Sequence, residues 1–303
     1  MSSITPCQYF RIADHLVRIH WNMNVDLGRT LPSFRPFLAN GTAGEGTLMD
    51  IEVSDSPQER DMESLERLND VDYILDERFV LERAPESYLT SILSGDGEKK
   101  WTMESSMDFS VSTVSIQASE LYTTNKLSWL IMIAFGQACV KCDTLLLHAS
   151  AVKVGEMAYA FLGKSGTGKS THSELWMDHV DGCELLNDDN PAVRAFEDGS
   201  IYIYGTPWSG KKDCYLNQRA RLAGITRLIQ GPVNEFSQKK GTDALVTLLP
   251  SGSGIRWDET IYSRMVGVLG KLIECVPVGE LVNLPERAAV ELHFRALRES
   301  CRK

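Results

Sequence analysis

The sequence predicts an α/β protein with a mixed sheet and a phosphate-binding glycine loop, preceded by a β-rich N-terminal domain. Three observations predict it. Residues 1 to about 120 run in short alternating apolar and polar stretches, such as "HLVRIHW", "YILDERFVLE" and "SVSTVSIQ", the period of half-buried strands. From residue 125 onward, strand-like and helix-like patterns alternate. Between one such strand and one such helix stands "FLGKSGTGKSTHSELW", residues 161–176, whose glycines, lysines and serine match G-x-x-x-x-G-K-[ST].

The whole chain sets the bounds. Its 303 residues suffice for two domains, and 43% hydrophobic with 24% charged residues reads as soluble and globular. With 31 Lys+Arg against 41 Asp+Glu, the formal charge is −10. That balance argues against a sequence-independent grip on nucleic acid or on an anionic membrane. Seven cysteines at irregular spacing make no disulfide framework. The start "MSSITPCQYF" lacks a basic-then-apolar signal, so the expected compartment is the cytoplasm. Cys139 and Cys142 have metal-like spacing without a second pair, and a helical coincidence explains them. "LSWLIMIAFGQACV", 127–140, is shorter than the roughly 20 residues a spanning helix needs and is read as a buried helix.

Along the N-terminal domain, placed at 1–124, the polar, acidic "SDSPQERDMESLERLND" is expected as an exposed loop or short surface helix. His15 and His20 are expected as packing or surface residues. The second domain, 125–303, opens with the buried helix. "TLLLHASAVKV" and "MAYAFL" are then two strands joined at Gly155-Glu156, which predicts an antiparallel hairpin. "KSTHSELWMDHV" has helical spacing, with His172 and His179 expected as packing or surface groups. "CELLNDDN" is a short strand ending in acids, and "SIYIYGTPWSGKKDCYLN" a strand into a second Gly/Lys loop. "SGSGIR" at 251–256 is expected as a linker. "DETIYSRMVGVLGKLIE" is a helix, "CVPVGELVN" a strand and "PERAAVELHFRALRES" a closing helix with Pro285 in its first turn.

The glycine loop carries the chemistry. Gly163, Ser165, Gly166, Thr167 and Gly168 let successive backbone N–H groups point at one anion, and the helix behind them adds its positive end. Lys169 would reach the β- and γ-phosphates, the Ser170 hydroxyl would ligate Mg²⁺, and Thr171, the next residue, is expected among the nucleotide-binding residues. The implied cofactors are ATP and Mg²⁺. Eighteen residues after Ser170 come Asp188 and Asp189. One carboxylate can hold the metal while the other takes a proton from an attacking hydroxyl. Neighbours on a strand point opposite ways, so both serve only where the strand has ended and turned, as Asn190-Pro191 encourages. In the second loop, Lys211 and Arg219 are candidates to stabilise charge on the transferring group, opposite Lys169.

"LLHASAV … YAFLGKSGTGKSTHSELW … LLNDDNPAVR" resembles the nucleotide-binding core shared by the HPr kinase/phosphorylase family and the ATP-dependent phosphoenolpyruvate carboxykinases. The resemblance covers about residues 145–195 and implies that His148 lies near the γ-phosphate and metal, Asp188 is the catalytic base and Asp189 the metal-side acid. It also permits the reverse, phosphorylase reaction, and implies a homo-oligomer. The region after the acids, "YGTPWSGKKDCYLNQRARLAG", replaces the glycine- and isoleucine-rich signature of HPr kinases. The acceptor therefore need not be HPr. The resulting expectation is a kinase that transfers the γ-phosphoryl group to a hydroxyl, a serine of a protein or peptide. Two other readings stand beside it: a small-metabolite kinase or carboxykinase-like enzyme, and a nucleotide-binding regulator without turnover.

Overall fold

A computed structural model of the chain describes residues 7–41, 46–55, 65–74, 77–93, 100–210 and 212–300. The chain divides into two compact units, residues 1–139 and 140–303.

The first unit is one mixed nine-stranded sheet in the order β3-β1-β2-β4-β9-β8-β7-β6-β5. Its strands are β1 (Cys7–Ile12), β2 (His15–Trp21), β3 (Leu38–Ala39), β4 (Met49–Ser54), β5 (Glu66–Ile74), β6 (Glu77–Arg83), β7 (Ser87–Leu93), β8 (Lys100–Ser106) and β9 (Val111–Ser115). The β2–β4 and β4–β9 pairs are parallel and the others antiparallel. Alternation does its expected work: in β4, Met49, Ile51 and Val53 are buried while Glu52 between them is exposed. A single turn of helix, α1 (Leu27–Thr30), is capped by Asp26, whose carboxylate accepts from the Gly28 amide. "YILDERFVLE", read as one run, belongs to two antiparallel strands, β5 and β6, paired at Asp70↔Val80 and Val71↔Phe79 and, after a register shift, at Ile74↔Glu77. Of the stretch expected as a loop, Glu66–Asp70 belongs to β5, and 56–64 lie outside the described residues.

The apolar helix α2 (Lys126–Ala138) also belongs to this unit, so the division falls at 139/140 rather than at 124/125. Its residues choose the first sheet: the Trp129 ring lies 6.2 Å from Phe79, Phe135 lies 6.3 Å from His15, and the Lys126 ammonium sits 3.6 Å above the Trp101 ring. Among the described residues, no helix is long and apolar enough to cross a membrane.

The second unit is a mixed sheet with the path β10-β14-β15-β16-β12-β11-β13. Its strands are β10 (Thr144–Leu146), β11 (Ala149–Val154), β12 (Met157–Leu162), β13 (Cys183–Asn187), β14 (Ala192–Ala195), β15 (Ile201–Tyr204), β16 (Arg219–Gln230), β17 (Glu235–Lys239) and β18 (Val278–Asn283). The helices are α3 (Lys169–His179), α4 (Gly241–Leu248), α5 (Glu259–Cys275) and α6 (Arg287–Ser300). The predicted hairpin forms: β11 and β12 pair antiparallel from Ala149↔Leu162 to Val154↔Met157, with Gly155 at φ +59° in the turn. The organising strand is β16, which has no counterpart among the sequence expectations. It pairs parallel with β12, antiparallel with β15 at its start and parallel with β18 at its end. α6 begins at Arg287, two residues beyond Pro285.

One face of this sheet is packed by α3 and α6 over an apolar cluster that includes Val152, Tyr159, Phe161, Trp176, Leu281 and Leu297. His172 of α3 and His293 of α6 meet inside it, with 3.0 Å between ring nitrogens. Thr226 of β16 holds the far nitrogen of His293 at 2.7 Å. His172 is therefore a packing residue, as expected. Burial holds it protonated only below about pH 4, and His293 is also pushed well below its ordinary range.

Candidate functional site

β12 ends at Leu162, the chain passes through the glycine loop, and α3 starts at Lys169. Gly168 caps the helix at φ +94° and Gly166 stands at φ +81°, a backbone conformation that side-chain-bearing residues rarely adopt. Among the described residues no side chain caps α3, so its first amides remain for another acceptor. The loop is tied from within by Thr167, whose hydroxyl and amide both donate to the Lys164 carbonyl at 2.8 and 3.1 Å. Gln230 donates to the Gly166 carbonyl at 3.2 Å. Ser165 and Gly166 form the exposed crest, and Thr171 is exposed on α3.

Lys169 turns back beneath the loop, only 8% exposed. Its ammonium donates to the Gly163 carbonyl at 2.8 Å and lies 3.0 Å from His148 Nε2. Burial lowers its pKa, while Asp189 and Asp188 pull the other way. His148 sits at a break between β10 and β11, its amide bonded to the Ser251 carbonyl at 2.8 Å. Its Nδ1 is 3.2 Å from Asp189 Oδ1. With Lys169 donating to Nε2, the proton of a neutral imidazole belongs on Nδ1, directed at Asp189. "SGSGIR" is thus part of the site's back wall: Ser253 donates to the Leu146 carbonyl, and Gly252 and Gly254 pack on the Met265 sulfur of α5.

The acid pair owes its shape to Asn187, the last residue of β13 and wholly buried. Its side-chain oxygen accepts from the amides of Asp189 and Asn190 at 3.0 and 2.9 Å, which ends the strand in a side-chain-closed turn. Its amide group donates to Thr206 Oγ1 and the Trp208 carbonyl, both at 3.2 Å. The turn brings both carboxylates to one place with different surroundings. Asp188, 4% exposed, faces Ser170 Oγ at 3.3 Å from Oδ2 and Ser150 Oγ at 3.1 Å from Oδ1. Asp189, with 34% of its side chain exposed, accepts from Asn190 at 2.7 Å besides meeting His148. Ser170, expected beside Asp189 at the metal, faces Asp188 instead, and His148 faces Asp189.

The second loop reaches the acids through Gly210, where a Cβ would lie 3.3 Å from that of Asp189. Lys211 lies outside the described residues. Lys212 forms an ion pair with Glu174 of α3 at 2.8 Å. Arg219 donates to the Tyr204 hydroxyl at 3.0 Å and lies 4.7 Å over the Tyr202 ring, engaged with β15. Trp208 is buried.

The unit is mixed α/β, and its site is a strand–glycine loop–helix junction facing an acid turn. No protein-family model matches the chain. No curated protein matches it either. Among solved structures it is similar to the HPr(Ser) kinase/phosphatase from Coxiella burnetii, at 13% sequence identity over 52% of this chain and 95% of that chain, with a TM-score of 0.30. A superposition that loose transfers no residue roles, and the site stands on its own geometry.

Two groups fit this geometry. Uncapped amides at the start of α3, two loop glycines in the left-handed region and a buried ammonium suit a polyphosphate. Among the described residues no three His, Cys, Asp or Glu side chains gather as a metal cluster. A carboxylate and a hydroxyl 3.3 Å apart do suit a hard cation that brings its own waters and phosphates. Sequence reading missed Ser150, Ser173 and Asn187. The available signal was an Asn just before the acids at a strand end, a common turn former.

Proposed function

We propose that the chain is an ATP- and Mg²⁺-dependent phosphotransferase with a phosphate-binding loop core of the HPr kinase/phosphoenolpyruvate carboxykinase type. It transfers the γ-phosphoryl group to a hydroxyl, that of a serine on a protein or peptide. The observation that carries this reading is the convergence of Lys169, Ser170, His148, Asp188 and Asp189 within hydrogen-bonding reach at the glycine loop.

The loop amides and Lys169 bind and orient the phosphates. Ser170 and Asp188 would hold Mg²⁺, which when bound neutralises charge on the phosphates. Asp189 is the better placed of the two acids to take the acceptor's proton, because about a third of its side chain is exposed whereas Asp188 is buried. His148 and Asn190 orient the Asp189 carboxylate by donating to its two oxygens.

The test incubates the purified protein and Lys169→Ala with labelled ATP, Mg²⁺ and extract from the protein's own source. The expected result is a labelled polypeptide with the wild type and none with the variant, whose ATP affinity falls at least tenfold. Label only in a small molecule would replace the protein-kinase reading with a metabolite kinase. Mg-ATP binding without transfer would replace it with a regulator.

A further inference from the structure

Ser150 of β11 and Ser173 of α3 are both wholly buried beneath the acid turn, their hydroxyl oxygens 2.7 Å apart. Ser150 also stands 3.1 Å from Asp188 Oδ1. An ionised carboxylate only accepts hydrogen bonds. Ser150 must therefore give its proton to Asp188, and Ser173 must give its own to Ser150. The chain of donors has one direction, set by the charge at its end. Oδ2 of the same carboxylate is left to Ser170 at 3.3 Å. One helix thus grips Asp188 twice, directly through Ser170 and through Ser150 from Ser173, one turn further on.

We propose that Ser150 and Ser173 are positioning residues that fix the rotation of the Asp188 carboxylate, so that Oδ2 faces the Mg²⁺ that accompanies the nucleotide. The inference rests on the phosphotransferase reading of the site. Two hydroxyls buried in a core cost stability unless hydrogen-bonded, and alanines would fill the same space without that cost. The pair bonds to Asp188, a group on which the proposed chemistry depends.

The experiment measures ATP affinity by calorimetry, in EDTA and over a series of Mg²⁺ concentrations, for the wild type, Ser150→Ala, Asp188→Asn and the double variant. Ser150→Ala is expected to weaken the Mg²⁺-dependent gain in affinity about tenfold and to leave affinity in EDTA unchanged. The same substitution made in Asp188→Asn is expected to add nothing, since the hydroxyl then has no carboxylate to orient. A Mg²⁺ response in Ser150→Ala equal to that of the wild type overturns the inference, as does an equal loss with and without Asp188. Should Ser150→Ala not fold, Ser150→Ala/Ser173→Ala removes both buried hydroxyls together and is read by the same criteria. Wild-type protein that binds no ATP would overturn the phosphotransferase reading itself, a result distinct from an unaltered Ser150→Ala.

Discussion

The Ser170 hydroxyl and the Asp188 carboxylate, 18 positions apart in the chain, face each other at 3.3 Å, while Asp189 turns to His148. Adjacent acids therefore have separable tasks. Asp188→Asn is expected to remove most of the Mg²⁺ dependence of ATP binding. Asp189→Asn is expected to keep Mg-ATP binding within about threefold and to lose transfer by roughly 10²–10⁴-fold, the usual weight of a general base. Calorimetry and single-turnover transfer on both variants check this. The opposite pattern would return the base to Asp188, as the family resemblance has it.

Asn187 is expected to be the most sensitive uncharged residue at the site. Asn187→Ala removes two bonds that close the acid turn and the bonds to Thr206 and Trp208 that hold the second loop. The loss is expected at about 2–4 kcal/mol, from buried partners left unsatisfied. Urea denaturation measures it, and an unchanged midpoint would remove Asn187 from the account.

The buried histidines predict acid sensitivity. An unfolded chain protonates its histidines near pH 6.5, whereas burial holds His172 neutral down to about pH 4 and His293 well below its usual range. Between those limits the unfolded state binds more protons, so stability is fully present above pH 6.5 and falls as pH drops toward 4. Each histidine contributes a slope of about 1.4 kcal/mol per pH unit at most. Denaturation midpoints from pH 7.5 to 4.5 should show it, with the slope reduced by one proton in His293→Gln. Stability that stays level from pH 7.5 to 5 would refute the buried pair.

The loop and the acid turn were legible because the chemistry of each is local: glycines before a helix, carboxylates where a strand ends. His148, at the break between β10 and β11, was pointed to by the family resemblance alone. What was not legible depends on partners far away in sequence. α2 is apolar on most sides, so its pattern says that it is buried but not by which sheet. In β16, Arg219 and Arg221 are exposed while Ala220 and Leu222, which alternate with them, are buried. That is strand alternation, yet the arginines read more readily as free cations. Only the fold reveals that Arg219 belongs to Tyr202 and Tyr204. Ser150 and Ser173 are unremarkable letters until β11 and α3 bring them together.

The hydrogen bond from the His148 amide to the Ser251 carbonyl, with the pairing of β16 to β18 at 278–283, has a consequence for biosynthesis. The first unit finds all its strand partners within residues 7–115 and can close its sheet early during translation. The second unit cannot. Its glycine loop is complete by residue 170, but the backing of His148 and the strand that finishes the sheet emerge from the ribosome about a hundred residues later. The candidate site is therefore among the last parts of the chain to mature, and a nascent chain stalled before residue 251 would carry the motif without its His148 support.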